Sequence, residues 1–419
     1  MKRVVVTGIG TINALGHNVE ESFKAVVNGE CGIDKITLFD PTNFPVQIAA
    51  EVKNFDSSTV MDKKESKKAD RFIHLGIKAS KEALLDAKLI TTNNNKVDPS
   101  ISDRFGIISA SGIGGLPNIS KNSVACHTRG AKKVSPFFIP SSLVNMLSGF
   151  ISIEHALKGP NLSHVTACSA STHAICDAVK TIALNGADQI LVVGAESAVC
   201  ESGIAGFASM RALSTRNDTP KKASSPFDSS RDGFVMGEGA GALVIETLEA
   251  AQKRGAKIYA EIVGFGETGD ANHITSPVMN GPLRAMRAAI KMAEDNTKDK
   301  IKIDYINTHG TSTPVGDINE TNAIKELFGG DTKNCPPVTS TKGQIGHCLG
   351  AAGAIESIFA IKSIEDGVIP PTINIKNQDP QCDLDYVPNI SRKADLKVVM
   401  NNNFGFGGTN GSVIFKKFD

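Results

Sequence analysis

Short runs of apolar and β-branched residues recur along the chain and predict its strands. Eight such runs lie at residues 3–8, 104–111, 189–197, 241–246, 258–266, 303–310, 397–405 and 411–417. Most of them are continuous rather than alternating, and continuous runs are typical of strands that are buried on both faces between layers of helices. The pattern therefore predicts an α/β fold built in layers.

Two segments between the strand runs have the apolar spacing of helices. Residues 283–295 form one, and residues 168–185 form another, in which Ala170, Ala174 and Ala178 lie four positions apart. Side chains at this spacing share one face of a helix, and their small size lets a neighbouring element pack closely against that face. We expect residues 168–185 to form a buried helix.

Two junctions between a strand and a helix have a similar layout. Cys168 follows one strand in the stretch VTACSAS, and His309 follows another in NTHGTSTP. Each junction places a reactive side chain just past the end of a strand. The likeness predicts a duplicated architecture in which both halves contribute to one site. The polar segment 249–257 would separate them, so we expect an N-terminal half over residues 1–254 and a C-terminal half over residues 255–419.

Composition and charge narrow the class of protein. Hydrophobic residues make up 41% and charged residues 21% of the 419 positions, as in a soluble globular protein. A net charge of +1 gives no general attraction to nucleic acid or to anionic lipid. No apolar stretch approaches the roughly 20 residues that a membrane helix needs, and the apolar run at the N-terminus is too short for a signal peptide. We expect a cytoplasmic protein with no membrane or nucleic-acid partner.

The eight cysteines are scattered and form no C-x-x-C pair, which indicates reduced thiols rather than a disulfide framework or a zinc ribbon. Cys168 differs from the others because it lies where a strand gives way to a helix. The positive end of a helix dipole and its free N–H groups favour a thiolate and lower a thiol pKa. The same N–H groups can hold an oxyanion. Packing is nevertheless the usual role of a free cysteine, so position alone leaves both interpretations open.

Other candidate groups are weak when taken singly. His309 follows a strand, Lys342 and His347 lie five positions apart in TKGQIGH, and the glycine-rich segment 403–411 lets the backbone approach a ligand closely. A lone histidine is more often structural than catalytic. Zinc binding by Cys168, His309 and His347 is an alternative, but their spacing matches no compact ligand motif.

The combination of these stretches is far more specific than any one of them. TACSAS, NTHGTSTP, TKGQIGH and FGFGGTNG occur in this order, and together they strongly resemble the β-ketoacyl-[acyl carrier protein] synthases of the thiolase superfamily. The resemblance covers essentially the whole chain, and SMRALSTRND and GQIGHCLGAAGAIES make it most similar to the synthase II type. It implies a thiolase-like, five-layered αβαβα sandwich made from two similar halves, usually assembled as a homodimer.

The resemblance also implies an activity. This activity is a decarboxylative Claisen condensation of an acyl-enzyme thioester with malonyl-acyl carrier protein, which gives 3-oxoacyl-acyl carrier protein and CO2 in fatty acid elongation. Cys168 would carry the acyl group, the N–H groups of Cys168 and Phe406 would form the oxyanion hole, and neutral His309 and His347 would donate hydrogen bonds to the malonyl thioester. Lys342 would hold the histidine pKa values down from a polar network shared with Glu356.

Binding residues follow from the same resemblance. The positions that match substrate contacts are Ile113, Ser276, Thr311, Thr313 and Phe404. The basic candidates for docking the acidic carrier protein are Lys67, Lys68, Lys132, Lys133 and Arg211. No cofactor is expected to be required, but a structural Na+ or K+ ion could be held by Asn307, Glu356, Asn401 and Asn402. This sequence has asparagine at positions 401 and 403, where many relatives have serine.

Three other functions fit the sequence less well. A biosynthetic thiolase shares the fold and the nucleophile, but it needs a second cysteine near the chain end, and no cysteine follows Cys382. A non-catalytic polyketide synthase subunit would lack Cys168. A cysteine hydrolase is disfavoured because no water-activating set is evident; were the resemblance misleading, His164 would be the next candidate base. A polyketide pathway stays open beside fatty acid elongation, as does the preferred length of the acyl chain.

Overall fold

Fourteen strands and fourteen α-helices form within residues 2–418, the part of the chain that the computed structural model describes. The strands are β1 (Val4–Ile12), β2 (Asp34–Lys35), β3 (Ile48–Ala49), β4 (Phe105–Ala110), β5 (Asn161–His164), β6 (Gln189–Glu196), β7 (Gly239–Thr247), β8 (Ala260–Gly269), β9 (Tyr305–Asn307), β10 (Val338–Thr339), β11 (Val368–Ile369), β12 (Arg392–Lys393), β13 (Val398–Gly405) and β14 (Thr409–Lys416).

The helices are α1 (Val19–Val27), α2 (Lys63–Ser66), α3 (Arg71–Asp86), α4 (Pro99–Ser102), α5 (Leu116–Arg129), α6 (Phe138–Ser142), α7 (Met146–His155), α8 (Ala170–Ala183), α9 (Glu201–Ser209), α10 (Leu248–Lys253), α11 (Asn280–Thr297), α12 (Pro314–Leu327), α13 (Lys342–Ile345) and α14 (Ala352–Asp366). Short 3-10 turns lie at Ser57–Thr59, Ala131–Lys133, Ala167–Ser169, Pro220–Lys222, Thr332–Asn334 and Leu349–Ala351.

Ten of the strands form one mixed sheet whose two ends repeat the same topology. The order is β10-β9-β13-β14-β8-β1-β7-β6-β4-β5. Each half contributes five strands. From the outer edge of the sheet to its middle, these are the third, second, fourth, fifth and first strands of that half in chain order. The parallel and antiparallel pairs also match between the two halves. The two halves meet where β1 pairs with β8 through only two residue pairs, Val5 with Glu261 and Val6 with Ala260. The predicted pair of similar halves is therefore confirmed.

Helices cover both faces of each half and give five layers. α3 and α7 pack on the outer face of the first half, and α11, with α12 beside it, packs on the outer face of the second. α8 and α14 contact each other and strands of both halves, so they form the central layer. Ala170, Ala174 and Ala178 of α8 are fully buried. Their small side chains allow the close packing that this central position requires. The predicted thiolase-like sandwich is confirmed.

All eight predicted apolar runs contain a strand, whereas two strands of the sheet were missed. β5 has the sequence NLSH at the edge of the sheet, and β10 is only two residues long. Neither carries the continuous apolar run of a strand buried on both faces. The proposed boundary between residues 254 and 255 lies in the segment that joins β7 to β8, and it stays a prediction.

The structural counterpart of the Cys168 junction is not the His309 junction that the sequence suggested. It is the turn that precedes the other central helix. Ala167 and Leu349 both have positive φ, 50° and 46°, and each begins a 3-10 turn that leads into a central helix. In this repeat Cys168 corresponds to Gly350. His309 instead follows β9, the second strand of its half, whereas Cys168 follows β5, the third of its own.

Within residues 2–418, no helix is both long enough and apolar enough to cross a membrane.

Candidate active site

Cys168 lines a cavity of about 440 Å³. The side chain is 8% exposed and belongs to the 3-10 turn between β5 and α8. The left-handed conformation of Ala167 turns the chain sharply at this point, and such backbone strain is held in place only by the surrounding structure. His309, His347, Phe404 and Phe406 line the same cavity. Residues from both halves therefore form one site.

The backbone N–H groups of Cys168 and Phe406 both favour the thiolate form of Cys168 and act to lower its pKa. Phe406 lies in the tight connection between β13 and β14, where Gly407 and Gly408 have φ values of 83° and 70°. A Cβ atom on Gly405 would lie 2.8 Å from the carbonyl oxygen of Thr166. Glycine there lets the connection approach the backbone just before Cys168 closely, and the predicted oxyanion hole of Cys168 and Phe406 stays a prediction.

The pKa of the Cys168 thiol is raised, whereas the sequence predicted that it would be lowered. Burial raises it to about 12, with a smaller rise from the Glu196 carboxylate, while Lys342 and the two N–H groups oppose the rise. The predicted low pKa was wrong because the loss of hydration around a buried thiolate outweighs the favourable helix end. The resting group is a thiol, so it must lose its proton during the attack on a thioester.

His309 and His347 meet edge to face, with ring centroids 5.3 Å apart and planes at 85°. The main-chain N–H of His309 donates to Oε1 of Glu320 at 2.9 Å, and that of His347 donates to the carbonyl of Val235 at 2.8 Å. Burial and then the charge of Lys342 lower the pKa of both imidazoles well below 6.5. Both rings are therefore neutral at physiological pH, as the sequence predicted.

Lys342 lies behind the histidines rather than on the cavity wall. Its Nζ atom is 2.5 Å from Oε1 of Glu356, and both side chains are at most 1% exposed. Oε2 of Glu356 accepts from Nδ2 of Asn403 at 2.6 Å, and Oδ1 of Asn403 accepts from the Thr172 hydroxyl at 2.6 Å. This chain of contacts joins α14 to α8, the helix that follows Cys168. Sequence reasoning found the lysine and the glutamate, but not the link through Asn403 to Thr172.

Most of the predicted substrate contacts line the cavity. Ser276, Thr311, Thr313 and Phe404 do so, and the hydroxyl oxygens of Thr311 and Thr313 are 3.0 Å apart. Ile113 does not line it. It packs instead against the apolar cluster that contains Cys168. The assigned roles of these residues stay predictions.

The five basic docking candidates are spread over separate elements. Arg211 follows α9 and lies at the cavity wall. The others lie away from the cavity lining. Lys67 and Lys68 follow α2, and Lys132 and Lys133 belong to the turn after α5. Nζ of Lys68 is 2.5 Å from Oε1 of Glu65. Docking by these residues stays a prediction.

The predicted cation ligands form a buried polar group around β9 and β13. Asn307 and Asn401 are register partners on these strands. Both amide atoms of Asn307 and Oδ1 of Asn401 are buried without a hydrogen-bond partner. Oδ1 of Asn402 already accepts from Ser412, and both oxygens of Glu356 are engaged. Two amide oxygens are thus free, and amide oxygens are suitable ligands for hard cations.

Two alternative assignments find no geometric support. His164 bonds through Nε2 to Asp177 at 3.1 Å and does not line the cavity, so it is not placed to act as a base. Cys168, His309 and His347 share the cavity, but among residues 2–418 no three His, Cys, Asp or Glu side chains are grouped as metal ligands are.

The sequence also gave no sign that Glu196 lies beneath the site, because its partners come from distant segments.

The chain is similar to known proteins over nearly its whole length. The beta-ketoacyl synthase N-terminal domain matches residues 1–251, and the C-terminal domain matches residues 259–376. The 3-oxoacyl-[acyl-carrier-protein] synthase 2 of Coxiella burnetii is 47% identical over 418 residues, which cover 99% of each chain.

Solved structures agree with this match. A beta-ketoacyl synthase from Burkholderia phymatum has a TM-score of 0.91 at 34% identity, with both chains fully covered. A type II polyketide ketosynthase, solved in complex with its acyl carrier protein, has a TM-score of 0.87 at 29% identity, again with both chains fully covered. Together with the geometry around Cys168, these matches show that the chain belongs to the beta-ketoacyl synthase family.

Proposed function

We propose that this chain is a 3-oxoacyl-[acyl carrier protein] synthase of the type II group, which lengthens an acyl chain on its carrier protein with loss of CO2 in fatty acid elongation. One observation carries the proposal: Cys168 shares a cavity with His309 and His347, whose pKa values are lowered so that both imidazoles are neutral. Relatives at 46–47% identity over nearly the whole chain bear this name.

The first step transfers an acyl group to Cys168. Sγ attacks the thioester carbonyl, and the N–H groups of Cys168 and Phe406 stabilise the oxyanion. Because the resting thiol is protonated, its proton must move as the S–C bond forms. The neutral imidazoles in the cavity are the available acceptors, and the departing carrier thiol takes up the proton. The product is an acyl thioester on Cys168.

The second step generates a carbanion without a strong base. Loss of CO2 from the malonyl thioester leaves an enolate whose oxygen needs hydrogen-bond donors. Neutral His309 and His347 each offer one ring N–H for this purpose. The enolate carbon then attacks the acyl carbonyl on Cys168. The new C–C bond forms first and gives a second tetrahedral state, which the same oxyanion hole stabilises. The C–S bond then breaks, and the released Cys168 thiolate takes up a proton from water to return to the resting thiol.

The carrier protein would present its substrate at the open end of the cavity. Hydroxyl groups of Ser276, Thr311 and Thr313 line the path and suit hydrogen bonds to the amides of a phosphopantetheine arm. Arg211 lies beside this path and offers positive charge to an acidic partner. These positions support acyl carrier protein as the partner, and Lys67, Lys68, Lys132 and Lys133 extend the proposed basic surface.

A second copy of the chain would pair along β5. This strand ends the ten-stranded sheet, so one of its edges has no neighbour within residues 2–418. Leu162 and Val165 on and beside it are 45% and 55% exposed, and an exposed apolar edge strand favours association. We therefore propose a homodimer. A cytosolic location is also proposed, since all eight cysteines are unpaired.

A monovalent cation would fit between β9 and β13. The free amide oxygens of Asn307 and Asn401 would hold it, with Glu356 close by on α14. Bound there, it would supply a fixed positive charge behind the histidines. The condensation itself needs no cofactor under this proposal.

Intact-protein mass spectrometry tests the function directly. The wild-type protein, Cys168→Ala and the matched control Cys176→Ala, which changes another buried cysteine on α8, would be mixed with acyl-carrier proteins and then with malonyl-carrier protein. We expect an acyl adduct on wild type and on the control only, followed by a ketoacyl product two carbons longer. An adduct that is released only as free acid, or no adduct on wild type, would overturn the proposal.

A further inference from the structure

The carboxylate of Glu196 is fully buried at the end of β6 and accepts four hydrogen bonds. The donors are the Ser111 hydroxyl at 2.8 Å and the backbone N–H groups of Gly112, Ile113 and Gly350 at 2.6, 3.3 and 3.0 Å. None of the ion pairs within residues 2–418 includes Glu196. A buried charge satisfied only by fixed N–H and O–H groups is costly to place and depends strongly on their geometry.

The four donors belong to two loops from different halves of the fold. Ser111, Gly112 and Ile113 follow β4 in the first half, whereas Gly350 precedes α14 in the second. Gly350 is the counterpart of Cys168 in the repeat and lies three positions after His347. Glu196 therefore ties the loop that carries Ile113 to the turn that carries His347.

The two loops are in direct backbone contact at this point. A Cβ atom on Gly112 would lie 2.8 Å from Oε2 of Glu196 and 3.7 Å from the carbonyl of Ala167, the residue before Cys168. A Cβ atom on Gly350 would overlap the backbone N of Gly112. With no side chain between them, a shift of one loop passes to the other and to the turn of the nucleophile.

We infer that Glu196 is a positioning residue that fixes the loop of Ile113 against the turn of His347, and that it thereby sets which acyl chains Cys168 accepts. The inference rests on the proposed function, in which Cys168 carries the acyl group, and on the packing of Ile113 against the apolar cluster that contains Cys168. The charge of Glu196 also contributes to the high pKa of Cys168. Glu196 therefore acts on both the shape of the site and the ionisation of the thiol.

Glu196→Gln tests both the effect on the shape of the site and the effect on the ionisation of the thiol. It distinguishes them from a general loss of stability. The glutamine oxygen can accept from Gly112 and Gly350, and its NH2 group can donate to the Ser111 hydroxyl, but Ile113 then loses its acceptor. The freed loop should admit longer chains. Loss of one hydrogen bond to a charged group corresponds to about a tenfold change, so the kcat/KM ratio of a 16-carbon to a 10-carbon acyl donor should rise about tenfold.

Two companion variants complete the design. Ser111→Ala removes one donor and also the hydroxyl that accepts from Gly114 N–H at 3.0 Å, so the ratio should rise about threefold with the charge retained. Ser197→Ala is the matched control, because it deletes a buried hydroxyl-to-carboxylate bond in the adjacent residue, to Glu238. The kcat/KM ratio of the two acyl donors in Ser197→Ala should stay within about twofold of the wild-type ratio.

Alkylation of Cys168 by iodoacetamide gives the second readout. Its pH profile should move to lower pH in Glu196→Gln, where a negative charge is lost, and should not move in Ser111→Ala. Equal rate losses for both chain lengths, with an unmoved profile, would show a purely structural role and overturn the inference. Should Glu196→Gln fail to fold, an unchanged ratio in Ser111→Ala would overturn it instead. A wild-type protein that is never acylated would count against the proposed function.

Discussion

Gly350 occupies in the second half of the fold the place that Cys168 occupies in the first. Each follows a residue with positive φ, lies in a 3-10 turn and leads into a central helix. One half uses this turn to place the Cys168 thiol at the cavity. The other uses it to bring bare backbone against Gly112, and its N–H donates to Glu196 at 3.0 Å. The duplicated turn thus places a cavity-lining thiol in one half and a close backbone contact in the other.

Gly350→Ala should therefore destabilise the fold severely. The new Cβ atom would overlap backbone atoms of Gly112 and Ser111, which cannot rotate away as a side chain could. We expect a loss of about 3 kcal/mol or more in the free energy of unfolding, as for overpacking in a close-packed core. Urea unfolding followed by circular dichroism measures it.

Gly206→Ala provides the control for this prediction. Gly206 is exposed within α9 and has open space at its Cβ position. Alanine there should be neutral or should stabilise by up to about 1 kcal/mol, because it lowers the entropy lost on folding. Equal stabilities for the two variants would show that Gly350 does not contact the Gly112 loop as described.

The sequence could group Cys168, His309 and His347 in one candidate site because the stretches that carry them occur in the order of a known family, although no single position was decisive. It could not reveal the counterpart of Cys168, since β10 has only two residues and leaves no apolar run. It also gave the wrong direction for the pKa of Cys168. A helix end is a local feature of the sequence, whereas burial of the thiol depends on side chains brought together from distant segments.

The histidines should remain neutral well below pH 6.5. Their folded-state pKa values are lowered by burial and by Lys342, so the folded state binds fewer protons than the unfolded state below that pH. Stability is therefore fully present above pH 6.5 and is lost as the pH falls toward the folded pKa values. Carbon-13 NMR of labelled histidines should show no titration of His309 or His347 between pH 6 and 8, with His309→Gln and His347→Gln for assignment.

Lys342→Met tests the electrostatic part of this explanation. Loss of the positive charge should raise both histidine pKa values, and it should cost about 3–5 kcal/mol because Glu356 keeps a buried charge without its partner. The double variant Lys342→Met/Glu356→Gln should regain part of that stability while the histidine pKa values stay raised. Unchanged histidine titration in both variants would contradict a role for Lys342 in holding the imidazoles neutral.

Dimerisation through β5 should be sensitive to charge on its exposed edge. Leu162→Lys places a charge on a side chain that is 45% exposed, so the folded monomer should tolerate it. Sedimentation velocity should show a dimer for wild type and a monomer for this variant at micromolar concentration. Ile390→Lys, on the segment between β11 and β12, should remain dimeric. A wild-type monomer, or a dimer unaffected by Leu162→Lys, would count against pairing along β5.

The buried amide of Asn307 should respond specifically to monovalent cations. If Asn307 and Asn401 hold such an ion, KCl or NaCl should stabilise the wild type relative to choline chloride at equal ionic strength. The gain would be about 1.4 kcal/mol when the salt is roughly ten times its dissociation constant.

Asn307→Leu should abolish this difference between salts. It should also stabilise the protein in choline by about 1–3 kcal/mol, because both amide atoms lack partners and leucine has a similar size. Thermal unfolding in the three salts measures both effects. Wild-type stability that depends on ionic strength alone, or an Asn307→Leu protein weakened equally in every salt, would show that the asparagines hold no ion.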